Sequence, residues 1–314
     1  MSGTSSRMVV IVALAANVLV TLTKFGAALF TGSSAMLSEA VHSLVDSSNE
    51  VLLLYGQHRA ALPPDESHPL GHGRELYFWS FIVALLIFAV GAGLSMYEGI
   101  IHILTPEPIS NTYVNYAVLA AAFIFEGYSW IIAFRAFREA KGSLGWYEAI
   151  EKSKDPPGFI VLLEDSADLI GLLLAFAGIL ASSVLDMPVL DGVASVGIGL
   201  LLAGVAIILA RESKGLLIGE RADSATVSAM LEMTRGTQGV TSAHELFTMH
   251  LAPNQIVAAL SVDFDDWLSA ADVETIVAKL EHRIRAALPQ ITTLLIKPVQ
   301  GHEGEAGHSD VSET

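Results

Sequence analysis

Four ionisable residues share one apolar stretch: Glu39, His42, Asp46 and Glu50, spaced by three, four and four positions, recur at the period of a helix and fall on one stripe of it. A later apolar stretch carries Glu164 and Asp168, again four apart, with Asp165 turned about a hundred degrees round the same helix. A charge at bilayer depth costs about 2.5–3.5 kcal/mol even on the lenient insertion scale, so such groups face a cavity or a partner rather than lipid. His42 and Asp46 from one helix, with Glu164 and Asp168 from the other, would offer a cation one imidazole nitrogen and three carboxylates, a donor set that suits four-coordinate Zn²⁺. Asp165 is a further possible ligand. With no cation present the carboxylates repel one another, so the same atoms hold either metal or protons. Glu39 and Glu50 serve equally as interhelical hydrogen-bonding groups, for instance toward Lys24.

Other polar groups carry less information. Glu98 and Glu126 stand alone in their apolar stretches, as proton-relay groups, packing residues or partners for Lys24. Between the second and third stretches, Asp65, His68 and His72, spaced by three and four beside a turn-forming Gly-His-Gly, offer a second metal site in a loop. The segment from His244 to His250 resembles a His-Glu-x-x-His protease pattern, but its second histidine comes six residues after the first, off the face a helix would need. His302 and His308 lie in an acidic tail and read as solvated.

Six apolar segments must position the in-membrane residues, at approximately 8–30, 35–55, 76–103, 114–137, 159–184 and 189–210, each near the 20 residues a bilayer crossing needs. The first contains Lys24 and is followed at once by another apolar segment, unlike a signal peptide. The connections near 31–34, 104–112 and 185–188 hold no Lys or Arg. Arg59 and Arg74 flank the second loop, Arg135, Arg138, Lys141, Lys152 and Lys154 fill the fourth, and Arg211, Lys214 and Arg221 follow the last span. The positive-inside rule then predicts a multi-pass protein of the cell (inner) membrane with both termini cytoplasmic. Beyond residue 211 the periodicity changes: a helix over 224–237, strands over 240–250 and 256–264 around an Ala-Pro-Asn turn, an amphipathic helix over 270–288 and a strand over 291–297. The predicted class is therefore an α-helical polytopic membrane protein with six transmembrane helices and a cytoplasmic α+β domain of ferredoxin-like type. Residues 1–211 form the transport domain, 212–300 a dimerisation or regulatory domain, and 301–314 a disordered acidic tail.

Composition narrows the function. Hydrophobic residues make up 52% of the chain and charged residues 16%, a balance unlike that of a large soluble enzyme. The chain has no cysteine, so a metal must be held by His, Asp, Glu or backbone oxygen. The formal charge of −16 divides evenly between residues 1–211 and 212–314; with no basic stripe in either part, nucleic acid is excluded as a partner while cations are attracted.

Taken together, these residues resemble the cation diffusion facilitator family of divalent metal transporters. The likeness covers the whole chain and rests on Ser38-Glu-Ala-Val-His42-Ser-Leu-Val-Asp46, the His68-Pro-Leu-Gly-His72-Gly-Arg-Glu75 loop, the paired x-x-x-Asp patterns and the α+β tail. It implies a homodimer, not an enzyme but a secondary active transporter. Such a protein exports metal in exchange for protons, with a transport site at His42, Asp46, Glu164 and Asp168 and a loop site at Asp65, His68 and His72. It has no cofactor; Zn²⁺ is the expected substrate, with Mn²⁺, Fe²⁺, Co²⁺ or Cd²⁺ as other members of the same class. Two features depart from the pattern. Glu164 stands where the family has His or Asp, and Glu164-Asp165 is similar to the zinc-transporter subgroup that includes a mitochondrial member, from which no organelle is assigned. His244 matches one ligand of the family's binuclear site between cytoplasmic domains, but Leu260, Lys297 and Val299 occupy the others, so the domain is expected to dimerise without metal. The rival readings are a manganese or iron transporter of the same family, a metal sensor, a passive channel, and a membrane-tethered metalloenzyme.

Overall fold

A computed structural model describes residues 3–31, 34–106 and 112–300, with the side chains of 3–5, 27, 28, 30, 31, 34–42, 112, 115 and 245 outside the description. The chain forms two compact units that divide between Ile218 and Gly219. In the first lie α1 (Gly3–Thr31), α2 (Ser34–Ala60), α3 (Glu75–Leu86), a π-helical segment (Ile87–Ala92), α4 (Gly93–Leu104), α5 (Thr112–Lys141), α6 (Trp146–Lys152), α7 (Pro156–Leu185) and α8 (Val189–Ile218). Among the described residues, five helical stretches are long and apolar enough to cross a membrane: Ser6–Gly26, Glu75–Leu104, Tyr116–Lys141, Pro156–Leu185 and Val189–Ile218. α2 is of similar length, at 27 residues, and is the helix whose sequence carries Glu39, His42, Asp46 and Glu50. Large apolar side chains such as Leu173, Val184, Leu200 and Ile207 point outward and stay exposed, as a lipid-facing surface requires.

Packing follows residue size. α4 and α8 meet through glycines: a Cβ at Gly192 would lie 2.8 Å from the Gly99 carbonyl oxygen and 2.9 Å from the Ile103 nitrogen. One at Gly199 would lie 2.9 Å from the Met96 nitrogen. Without a hydrophobic driving force between helices in lipid, such small residues let backbones approach and gain dispersion contact. At the end of the unit where the basic loops lie, Val10, Leu53, Phe137, Phe159 and Leu209 form a continuous apolar core. There Asp155, just before α7, is buried. That burial pushes its carboxyl from the ordinary 3.8 up to about 6, with the Ser6 hydroxyl opposing the shift.

The second unit has the expected αββαβ order: α9 (Ser224–Arg235), β1 (Val240–Ala252), β2 (Gln255–Phe264), α10 (Ala270–Ala287) and β3 (Ile291–Pro298). β2 is central, antiparallel to β1 and parallel to β3. Its alternating pattern buries Ile256, Ala258, Leu260 and Val262 on one face, against Met230, Leu280 and Ile284 of the two helices. Asp223 caps α9, and a reciprocal Ser269–Asp272 capping box starts α10, so each helix begins where a side chain satisfies its first free N–H groups.

Three features lie outside the sequence reading. The fourth loop contains α6, the third span is interrupted by six residues of π-helix, and α8 runs on to Ile218, past Arg211. His302, His308 and the acidic tail lie outside the described residues.

Two predictions follow from packing and burial. Gly192→Ala should lower the stability of the detergent-solubilised protein by about 1–3 kcal/mol, the usual cost of overpacking. Gly204→Ala, with nothing within 4 Å of the new methyl, should leave the thermal midpoint unchanged or slightly raised. A carboxyl whose folded-state pKa is raised keeps its proton where the unfolded chain has lost it, so Asp155 stabilises less as pH climbs from 3.8 to about 6 and stays so above. Asp155→Asn should therefore match the parent near pH 4 and exceed it by about 3 kcal/mol above pH 7, measured by unfolding at both values.

Candidate metal site

Spans two and five cross in opposite directions. Asn49 and Glu50 of α2 interact with Glu164 of α7, and Asp46, a turn earlier on α2, interacts with Asp168, a turn later on α7, the pairing that antiparallel helices make. Around these residues α1 packs on α2 and on α5, and α5 packs on α7. α2 and α7 are joined by side chains: Asn49 Nδ2 donates to Glu164 Oε1 at 2.8 Å. Asp46 interacts electrostatically with both Glu164 and Asp168, and Glu50 with Glu164. The described carboxylates of both helices thus share one polar layer.

The layer has depth. Asn49 is 1% exposed, Glu50 0% and Glu164 3%, whereas Asp46 and Asp168 are half-buried. Asn17 Nδ2 on α1 donates to Glu50 Oε1 at 2.7 Å. Asp165 turns the other way and accepts from Ser129 Oγ of α5 at 2.7 Å, while its neighbour Ser166 accepts from Trp130 Nε1 at 2.8 Å. Of the two adjacent acids, then, Glu164 faces α2 and Asp165 faces α5. Glu126 is buried on α5 and interacts with Asp168. Lys24 donates to Ser43 Oγ at 2.8 Å. The side chains of Glu39 and His42 lie outside the described residues. Asp46, Glu164 and Asp168 do not by themselves bring their ligand atoms within 4.8 Å of one another.

Asn17, Asn49 and Ser129 are the site residues the sequence reading passed over. Each is uncharged, so a search for ionisable groups in apolar segments does not find them. The signal was present nonetheless, since Asn17 and Asn49 are amides in bilayer-crossing helices and an amide there must find a partner.

The loop site is assembled. Asp65, His68 and His72 bring one ligand atom each within 4.8 Å of one another, the one such group of three among the described residues. Asp65 Oδ1 accepts from the His68 backbone N–H at 2.6 Å and lies 3.3 Å from His68 Nδ1, while Oδ2 lies 3.0 Å from His72 Nε2. The His68 amide, then the imidazoles of His72 and His68, lower the Asp65 carboxyl to about 2, so it stays ionised at neutral pH. His72 is buried with its Nδ1 unpartnered, and His68 and Asp65 are exposed. Gly71, at φ 83°, supplies the left-handed turn that folds the two imidazoles together, a conformation glycine adopts without strain.

His244 is exposed, bonded to Ser242 at 2.6 Å and opposite Ser261 on β2. No group of three ligand side chains includes it among the described residues. Leu260 is buried in the core of the domain.

The family model for the cation efflux transmembrane domain matches residues 10–218, and that for the cytoplasmic domain of cation efflux proteins matches residues 222–298. The mitochondrial proton-coupled zinc antiporter SLC30A9 of Xenopus laevis is 34% identical over 281 residues, 87% of this chain and 50% of that protein. Metal tolerance protein C4 of Arabidopsis thaliana is 30% identical over 262 residues, 83% of this chain and 57% of its own length. The cation-efflux pump FieF of Cronobacter sakazakii is 25% identical over 289 residues, 90% of both chains. The chain spans about half the length of the animal and plant relatives. With both domain models matched in order and a membrane unit followed by an αββαβ domain, the chain belongs to the cation diffusion facilitator family of cation efflux proteins.

Proposed function

We propose that this chain moves a divalent metal, zinc foremost, across a membrane in exchange for protons, with His42, Asp46, Glu164 and Asp168 as the transport ligands. The observation that carries this reading is the convergence of the α2 and α7 carboxylates on one polar layer inside an apolar bundle. Such a layer is stable only when neutralised by metal or by protons. Ionised carboxylates and neutral imidazole take metal from a neutral compartment, and protonation on the far side releases it, because a ligand must be deprotonated to coordinate. Alternating access follows when each ligand favours a different state of the bundle. The relatives named as a zinc antiporter and a metal tolerance protein support the substrate class.

The loop group at Asp65, His68 and His72 is a second metal site on the side of the basic loops. The charge asymmetry of the loops supports a reading with both termini on the cytoplasmic side of a cell membrane. The outer face of the sheet, where Phe247 and Leu295 are exposed beside Ser261 and Lys297, supports a homodimer through the C-terminal domain, without metal at His244.

Zinc uptake into proteoliposomes holding an encapsulated zinc dye tests the reading. Uptake should follow an imposed pH gradient. Asp46→Ala and Asp168→Ala should each reduce it more than about 100-fold, since changes one shell further out already cost about 10–100-fold. Asp165→Asn should keep most of it. A protein silent toward zinc that moves manganese or iron would keep the architecture and change the metal, and no flux for any ion would make it a sensor. Separately, His42→Asp should lower the ratio of zinc to manganese transport, because a site of oxygens alone suits harder ions; an unchanged ratio would remove His42 from the ligand set.

A further inference from the structure

Three buried oxygens carried by α2 and α7 have no hydrogen-bond partner: Asn49 Oδ1, Glu50 Oε2 and Glu164 Oε2. Their other polar atoms are all committed. Asn49 Nδ2 donates to Glu164 Oε1 at 2.8 Å, and Asn17 Nδ2 donates to Glu50 Oε1 at 2.7 Å. The hydrogen bonds therefore hold each side chain in place while leaving one lone-pair oxygen of each unused. The residues carrying them are 0–3% exposed, and an unmade bond on a buried polar atom is costly enough that native structures fill nearly all of them. The arrangement is what a ligand made only of positive charge would require: it accepts from oxygens and offers nothing back.

The geometry points to a second cation site one helical turn nearer the basic loops than Asp46 and Asp168, formed by Glu50, Asn49 and Glu164. Its two carboxylates and one amide match the charge of a divalent ion and give it oxygen donors alone. The site rests on the transport reading in that Glu164 belongs to both tiers, one turn from Asp168 on α7, and can hand an ion from the oxygen tier to the tier of His42, Asp46 and Asp168. The division of labour is chemical. The inner oxygens take a divalent ion with little discrimination, and the imidazole of the next tier then favours zinc. Glu50, on this account, is a ligand on the route to the transport site, and Asn17 is a positioning residue that fixes its carboxylate.

The test counts bound Mn²⁺, a spectroscopic probe suited to oxygen donors, by electron paramagnetic resonance on the full-length protein in detergent. His68→Ala and His72→Ala remove the loop site, and Asp46→Asn with Asp168→Asn disables the outer tier. This background should retain a single Mn²⁺, and adding Glu50→Gln should weaken it at least tenfold. The glutamine keeps an acceptor for Asn17, and elution volume and melting temperature verify the fold. Asn49→Ala reads the same loss by an independent route. Absence of Mn²⁺ in the background, or binding indifferent to both Glu50→Gln and Asn49→Ala, would overturn the inner site. Failure of the transport reading is a different result: it appears as absent zinc flux in the unsubstituted protein, with the Mn²⁺ count unaffected.

Discussion

Carboxylates buried among hydrocarbon are the constraint around which the membrane unit is arranged. An ionised acid in that setting is destabilising by several kcal/mol unless neutralised, and Glu50, Asn49, Glu164 and Asp165 sit at or near zero exposure. The bundle meets the cost with neutral donors. Asn17 from α1, Asn49 from α2 and Ser129 from α5 each donate to one oxygen of one carboxylate. Such bonds orient an acid without supplying the positive charge that would fix it permanently as an anion. In the proposed exchange the layer alternates between metal-bound and protonated forms, which a lysine or arginine partner for every acid would prevent.

Around that layer the packing divides into two kinds. α4 and α8 are pressed together through Gly99, Gly192 and Gly199, a contact with no room for change. α2 and α7 are joined instead by the hydrogen bond between the Asn49 and Glu164 side chains. The π-helical segment Ile87–Ala92 lies beside this division, its Ala92 packed on Ala167 and Leu202, and the Gly93 N–H reaches back to the Phe88 carbonyl five residues earlier. Segments of that kind recur at functional sites. In the loop the turn at Gly71 sets the geometry, and buried His72 stands beside exposed Asp65 and His68.

Much of this was legible in the sequence for identifiable reasons. Helical periodicity put Asp46 and Glu50 on one stripe of α2, and the αββαβ order of the second unit followed from alternation and turn residues, with boundaries within about two residues. The loop triad was legible from its spacing beside Gly-His-Gly. What escaped was the part that depends on partners from other helices: that Glu164 turns to Asn49 while Asp165 turns to Ser129 is decided by neighbours more than thirty positions away. The π segment escaped because its residues, Ile-Phe-Ala-Val-Gly-Ala, are as apolar as any α-helical span. α6 escaped because seven residues between two basic clusters are too few to show a period.

The central claim is that metal and protons compete for the same carboxylates of α2 and α7. Titration calorimetry of zinc into the purified protein, repeated at pH 7 in buffers of different ionisation enthalpy, counts the protons released per ion bound. The account predicts at least one proton released for each zinc, and fewer per ion once Asp46 and Asp168 are replaced by asparagine. Zinc binding of the same stoichiometry with no proton release in the unsubstituted protein would contradict it.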